Sequence, residues 1–303
     1  MKREFSLFGS PGRPGSLYER VRTREPHVRE RVDQLWSEYR RLADRHFETE
    51  FRERLHERFW EMYLACTLLE RGREVDSSNS GPDVLIRERG GCVWIEAVCP
   101  SQGDPCSSDR VPDLDFNGVH DYPSDKVVLR YRSSIGGKVC AYQEYVSAGA
   151  VNPSDPFVIA VSAAQLEAAF TAGPTPDILK AVYPIGCQQI HVRLDASADE
   201  DEHVGPDFQH RPVVYKSNDS GVATNIFLDP CYAQVSAVLF SDSNVLNPPL
   251  VNGRVAHGSE FLLVHNLSAA NPLPHGWLGF GTEYVPRLSG DSLSLSCVEL
   301  PST

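Results

Sequence analysis

Residues 81–100 read Gly81-Pro-Asp-Val-Leu-Ile-Arg-Glu-Arg-Gly-Gly-Cys-Val-Trp-Ile-Glu-Ala-Val-Cys-Pro100. Two runs rich in β-branched and apolar residues, at about 82–88 and 92–98, flank Arg89-Gly90-Gly91, a pattern that predicts a β-hairpin. Asp83 opens the first strand. Glu96 interrupts the second, among Val93, Trp94, Ile95, Ala97 and Val98. A lone carboxylate in such a setting is costly to bury unless positive charge answers it. A hard divalent cation shared by Asp83 and Glu96 supplies that charge, and Mg²⁺ or Mn²⁺ suits oxygen donors where zinc does not.

Working outward, a third acid stands upstream in similar company. Phe47, Phe51, Leu55, Phe59, Met62, Cys66 and Leu69 recur at spacings of three and four, which predicts an amphipathic helix over about 47–72. Glu61 is the only charged residue between Phe59 and Leu69. Gly72 is positioned to stop that helix. A further helix is expected over about 25–45, and residues 1–24, with Gly9-Ser-Pro-Gly-Arg-Pro-Gly-Ser16, read as a flexible tail.

Beyond the hairpin an Asp- and Pro-rich stretch, about 100–122, has the length of a lid or substrate-contacting loop. A helix is expected over about 123–147. Phe157-Val-Ile-Ala-Val161 reads as a buried strand. On the helix, Arg130, Ser134 and Lys138 are four apart and share a face. Lys138 lies among Ile135, Gly136, Gly137, Val139 and Cys140. The paired glycines weaken a helix, and close approach of a strand or substrate is one reason to keep them. The second half is expected to hold a helix near 175–183 and strands near 187–194, 211–216, 234–241 and 259–265. Asp199-Glu-Asp-Glu202 reads as a solvated loop, and Asn271-Pro-Leu-Pro-His275 as the end of regular structure. The expected fold class is α/β: a tail, then one domain over 25–303, with a mixed-sheet core at about 47–165 and a β-rich C-terminal extension at about 166–303.

An acid on a helix, Pro-Asp opening one strand and a Glu on the next resemble the PD-(D/E)XK nuclease superfamily, the restriction-endonuclease-like fold. The resemblance rests on Glu61, Pro82-Asp83 and Glu96, and it covers roughly residues 47–165. It departs at Val98, which stands where Glu-x-Lys has its lysine; Lys138 on the following helix is the candidate replacement. The resemblance implies metal-dependent phosphodiester hydrolysis. Asp83 and Glu96 would hold Mg²⁺ or Mn²⁺, Glu61 would orient water or serve a second metal, and Lys138 would stabilise charge at the phosphate. Arg130 is a candidate phosphate contact or a brace for the acids. The alternative is a catalytically degenerate module that binds nucleic acid or a protein partner. A third reading pairs the acids with Arg130 or Arg132 in an unrelated α/β protein.

Composition narrows the setting. The net charge is −12, yet residues through Arg73 carry 16 Lys and Arg against 13 Asp and Glu, and the remainder 13 against 28. An acidic body argues against indiscriminate nucleic-acid binding and leaves room for a local basic groove. Eight scattered cysteines, with no Cys-x-x-Cys pair, suit a reducing compartment. The N-terminus lacks a signal-peptide apolar core, and no apolar run approaches a membrane span, so a cytoplasmic protein is expected. His257, His265 and His275 are too dispersed to propose a site. Gly290-Asp291-Ser292-Leu293 imitates a GDSL hydrolase block, too near the C-terminus to be one. For the C-terminal half, a substrate clamp, a partner-docking face and a homodimer surface are equally open.

Overall fold

Pleat alternation in the hairpin sets the layering of the molecule. In a computed structural model of the chain, residues 6–77, 80–88, 90–114, 117–118, 120–171, 173, 175–189, 207–290 and 292–300 are described. Strands β1 (Glu74–Asp76), β2 (Val84–Glu88) and β3 (Gly91–Val98) form an antiparallel meander. Val84, Ile86, Val93 and Ile95 point into one apolar core; Leu85 and Trp94, of opposite parity, point into another. The first core is roofed by α1 (Leu17–Arg24), α2 (Pro26–Tyr39), α3 (Phe47–Glu53) and α4 (Leu55–Glu70). The second is covered by α5 (Ser124–Ser147) and, further along, α6 (Asp177–Val182).

After α5 the chain returns as β4 (Phe157–Ser162), parallel to β3 and buried along its whole length. Two small hairpins follow: β5 (Ile185–Gln189) with β6 (Asp207–His210), and β7 (Val213–Tyr215) with β8 (Gly221–Ala223). Then β9 (Ala237–Ser241) joins the main sheet parallel to β4. A third hairpin pairs β10 (Leu250–Val251) with β11 (Arg254–Val255). Finally β12 (Leu262–His265), β13 (Gly281–Ser289) and β14 (Ser292–Leu300) complete the sheet. Its order is β1-β2-β3-β4-β9-β12-β13-β14, eight strands of mixed direction flanked by helices.

Four expectations are corrected. Residues 6–24 are not a free tail: Leu7 and Phe8 are buried, the Tyr18 ring stacks on Phe8 at 5.1 Å, and Ser16 caps α1. Three aromatic or aliphatic anchors outweigh the Gly and Pro between them. The helix expected over 47–72 breaks at Arg54, whose backbone leaves helical geometry (φ −127°, ψ 56°) and separates α3 from α4. Regular structure does not end at 275, because β13 and β14 are the two longest strands. Nor is the C-terminal half an extension, since β9, β12, β13 and β14 continue the same sheet. The acidic loop 199–202 and the end of the strand expected at 187–194 lie outside the described residues. Among the described residues no helix is long and apolar enough to cross a membrane.

Gly136 and Gly137 sit inside unbroken α5 with open space where a Cβ would stand, so no strand approaches them. Gly136→Ala and Gly137→Ala are each expected to stabilise the fold by about 0.5–1 kcal/mol, read as a rise in the urea midpoint. Unchanged or lowered midpoints would contradict this placement.

Candidate active site

Glu96 shares the parity of Trp94 on β3, so its side chain leaves the sheet on the α5 side. It is 4% exposed. From α5, Lys138 Nζ donates to Glu96 Oε1 at 2.7 Å. Tyr145, seven residues further along the same helix face, donates to Glu96 Oε1 at 3.3 Å. The β2/β3 register pairs Val84 with Ile95, so the next pair outward sets Asp83 beside Glu96. Asp83 is half-buried, and its Oδ2 accepts the Ala97 N–H at 2.8 Å.

Glu61 reaches the same place from the opposite layer. The indole N–H of neighbouring Trp60 donates to Ala160 O at 3.0 Å, which pins this turn of α4 over β4. Glu61 Oε1 accepts the Tyr39 hydroxyl at 2.5 Å, and Oε2 accepts Arg58 Nη1 at 2.6 Å. Arg58 also pairs with Asp44 at 3.3 Å and bonds Glu50 through Nε at 2.8 Å. Arg58, Glu61, Asp83, Ala97, Val98 and Lys138 line a cleft of about 280 Å³. A chamber of about 590 Å³ adjoins it, sharing Arg58, Glu61 and Asp83 and adding Arg45 and His46.

The electrostatics follow from burial. Desolvation pushes Glu61, Asp83 and Glu96 all above the ordinary carboxylate range. Repulsion from Asp83 adds to the upward shift of both Glu61 and Glu96; Lys138 opposes it at Asp83 and Glu96, and Arg58 at Glu61. Tyr145 is raised too, by burial first and by Glu96 second, and so remains a hydrogen-bond donor. Asp83 thus repels an acid on either side of it, with Lys138 and Arg58 answering from opposite layers.

Glu61, Asp83 and Lys138 line one cleft, and buried Glu96 joins them through the bond it accepts from Lys138. Arg130 is elsewhere: its Nε donates to Ser101 O at 2.7 Å, and the guanidinium braces the loop that follows β3. That loop is fastened rather than lid-like, with Val111 fully buried and its N–H bonded to Gln102 O at 2.9 Å. Arg132 also turns from the acids, donating to Ala223 O at 2.7 Å and to the Tyr232 hydroxyl at 3.1 Å. The residues that answer the acids and escaped the sequence reading are Arg58, Tyr39 and Tyr145. Spacing offered two of them, since Arg58 is one turn before Glu61 and Tyr145 two turns after Lys138. Tyr39 comes from a separate helix and left no such signal. His265 belongs to a buried pair with Glu283, 3.0 Å apart, remote from this cleft in the sheet order.

The groups that Glu61, Asp83 and Glu96 offer are carboxylate oxygens, donors that suit a hard cation. Among the described residues no group of three or more His, Cys, Asp or Glu is gathered closely enough to enclose a metal ion. The arrangement fits a cation held by two carboxylates, Asp83 and Glu96, with other positions left to water and substrate oxygens, as is usual for Mg²⁺. Comparison with family models, with curated proteins and with solved structures finds no match to this chain.

Proposed function

We propose that this chain is a Mg²⁺- or Mn²⁺-dependent nuclease hydrolysing phosphodiester bonds through a site of the PD-(D/E)XK type. The observation that carries the reading is that Asp83 and Lys138 line one cleft with Glu61, while Lys138 donates to buried Glu96, which the strand register sets beside Asp83. An ordinary solvated lysine would point away from a buried acid; this one answers Glu96 directly. Val98 lines the same cleft. On this reading the Lys138 ammonium, arriving from α5 in the cleft that Val98 also lines, takes the part of the Glu-x-Lys lysine.

A bound divalent cation would polarise the phosphate and lower the pKa of a coordinated water. The chain's own residues do the rest. Asp83 and Glu96 would hold the cation, and the Ala97 N–H and Tyr145 hydroxyl fix the orientation of these two carboxylates. Glu61, braced by Tyr39 and Arg58, presents a carboxylate that accepts a hydrogen bond from the attacking water. Lys138 donates to the phosphate oxygens as charge builds there. A water oxygen–phosphorus bond forms as the bond to the leaving sugar oxygen breaks, the attacking water's proton passing to the Glu61 carboxylate and solvent water protonating the leaving oxygen.

The test is cleavage of single- and double-stranded DNA and RNA with Mg²⁺, Mn²⁺ or chelator, for wild type and Glu96→Ala. Metal-dependent products from wild type only are expected. Binding without cleavage under every condition would favour the degenerate-module reading, for which Val98 is the specific observation.

A further inference from the structure

At the far end of α4 from Glu61 lies a second concavity, of about 1050 Å³, between the last turn of that helix, the β10–β11 hairpin and the turn before β13. Its lining includes Arg71, Arg73, Arg254 and His257 against a single acid, Glu70. In a chain of net charge −12 this is a local reversal of sign.

Two of the arginines are mounted, not loose. The Arg71 guanidinium lies 4.8 Å from the Phe280 ring centre and donates to His257 O at 3.1 Å. Arg73 lies 5.1 Å from the Trp277 ring centre, bonds Trp277 O, and pairs with Glu88 at 3.1 Å. Both rings belong to the segment 276–280, and a buried carboxylate fixes that segment. Glu283, 1% exposed, accepts the N–H groups of Gly276 at 2.7 Å and Leu278 at 2.9 Å, and it faces His265 at 3.0 Å. A buried charge of this kind is expensive as a stability device. Here it sets the two aromatic platforms on which the guanidinium planes rest.

The opposite wall is the hairpin, turned by Asn252 (φ 52°) and Gly253 (φ 75°). Arg254 is exposed on it, and its side chain has no partner among the described residues. Val251, paired with Arg254 in the hairpin register, shares its face and is 37% exposed. Planar, pre-positioned arginines suit phosphate oxygens, and an exposed aliphatic side chain beside them offers apolar surface that a base can cover. Along α4, Arg71 is ten residues beyond Glu61, about 15 Å of helix rise.

We infer that this groove is a second nucleic-acid contact, in which a phosphodiester strand lays its phosphates on Arg71, Arg73 and Arg254 and a base against Val251. The inference rests on the nuclease reading and gives that enzyme an anchor for substrate outside the cleft. Free polyphosphate presents the same oxygens without a base, and the assay separates the two.

The experiment measures binding of a fluorescent single strand of roughly 20 nucleotides, longer than one compact binding site, over a salt series. Ca²⁺ replaces Mg²⁺ so that the strand stays intact. Arg254→Glu is compared with wild type, its folding checked by melting. The variant is expected to bind about tenfold more weakly, with the salt slope reduced by about 1. Equal affinity and slope in the two proteins would overturn the inference, as would complete displacement of the strand by equimolar pyrophosphate. Wild-type hydrolysis of bis(p-nitrophenyl) phosphate, too short to reach the groove, reports the cleft alone. Hydrolysis with no effect of Arg254→Glu on strand binding sinks the groove and spares the nuclease reading. Absence of both hydrolysis and strand binding in the wild type sinks both.

Discussion

Lys138→Met is expected to slow metal-dependent cleavage by about 10²–10³, the usual cost of removing one donor aimed at developing charge. The reasoning is geometric. Lys138 Nζ is 2.7 Å from Glu96 Oε1 and lines the cleft, whereas methionine matches its length and carries no charge. Lys138→Arg retains charge with a different shape and is expected to recover part of the rate. A stability signature accompanies the loss. Glu96 is already raised by burial and by Asp83, and Lys138 restrains that rise. Without the lysine the folded-state value climbs further. A carboxyl whose folded value lies above its unfolded one contributes stability fully below the unfolded value, and that contribution is lost as pH rises through the folded value. The variant should therefore melt below wild type at mildly alkaline pH, with the gap closing as pH falls toward 4–5. A gap that widened on acidification would show that Lys138 acts on some group other than Glu96.

Asp83→Asn carries the second large effect, with opposite signs on activity and stability. On the proposed reading Asp83 is one of two metal-holding carboxylates, and its loss is expected to remove several kcal/mol of transition-state stabilisation, about 10³ or more in rate. Asp83 itself is pushed up by desolvation, and it raises both Glu61 and Glu96. An asparagine keeps an oxygen for the Ala97 N–H, bonded at 2.8 Å to Asp83 Oδ2, and removes the charge. Stability at neutral pH is expected to increase by about 0.5–2 kcal/mol, as is common when a functional site's strain is relieved. The gain should shrink on acidification, where the wild-type aspartate is already neutral. Slower cleavage together with lower stability would mean that the carboxylate serves the fold rather than the chemistry.

How much of this was legible in the chain depends on where the physics is local. The hairpin was readable because β2 and β3 alternate or run apolar between Gly-rich punctuation, and Asp83 and Glu96 were visible because charge is rare there. The buried strand β4 and helix α5 were readable for the same reason. Other parts hide. Residues 6–24 look disordered by composition, yet Phe8, Tyr18 and Phe51 form one aromatic cluster across about forty residues of chain. Strand β14, Ser-Leu-Ser-Leu-Ser-Cys-Val-Glu-Leu, is too polar to announce itself and forms by pairing with β13 along its length. Its neighbour contains Pro286, which argues against a strand by propensity alone. The partners of the acids divide the same way. Arg58 and Tyr145 follow from helix spacing, whereas Tyr39 depends on how α2 packs against α4, which no local pattern encodes.

The most direct test of the central claim is calorimetric titration of Mn²⁺ into wild type, Asp83→Ala and Glu96→Ala. The account predicts saturable binding to wild type that is lost in both variants, with proton release as the raised carboxyls ionise. Wild-type binding that survives either substitution, or no binding even with an oligonucleotide present, would contradict it.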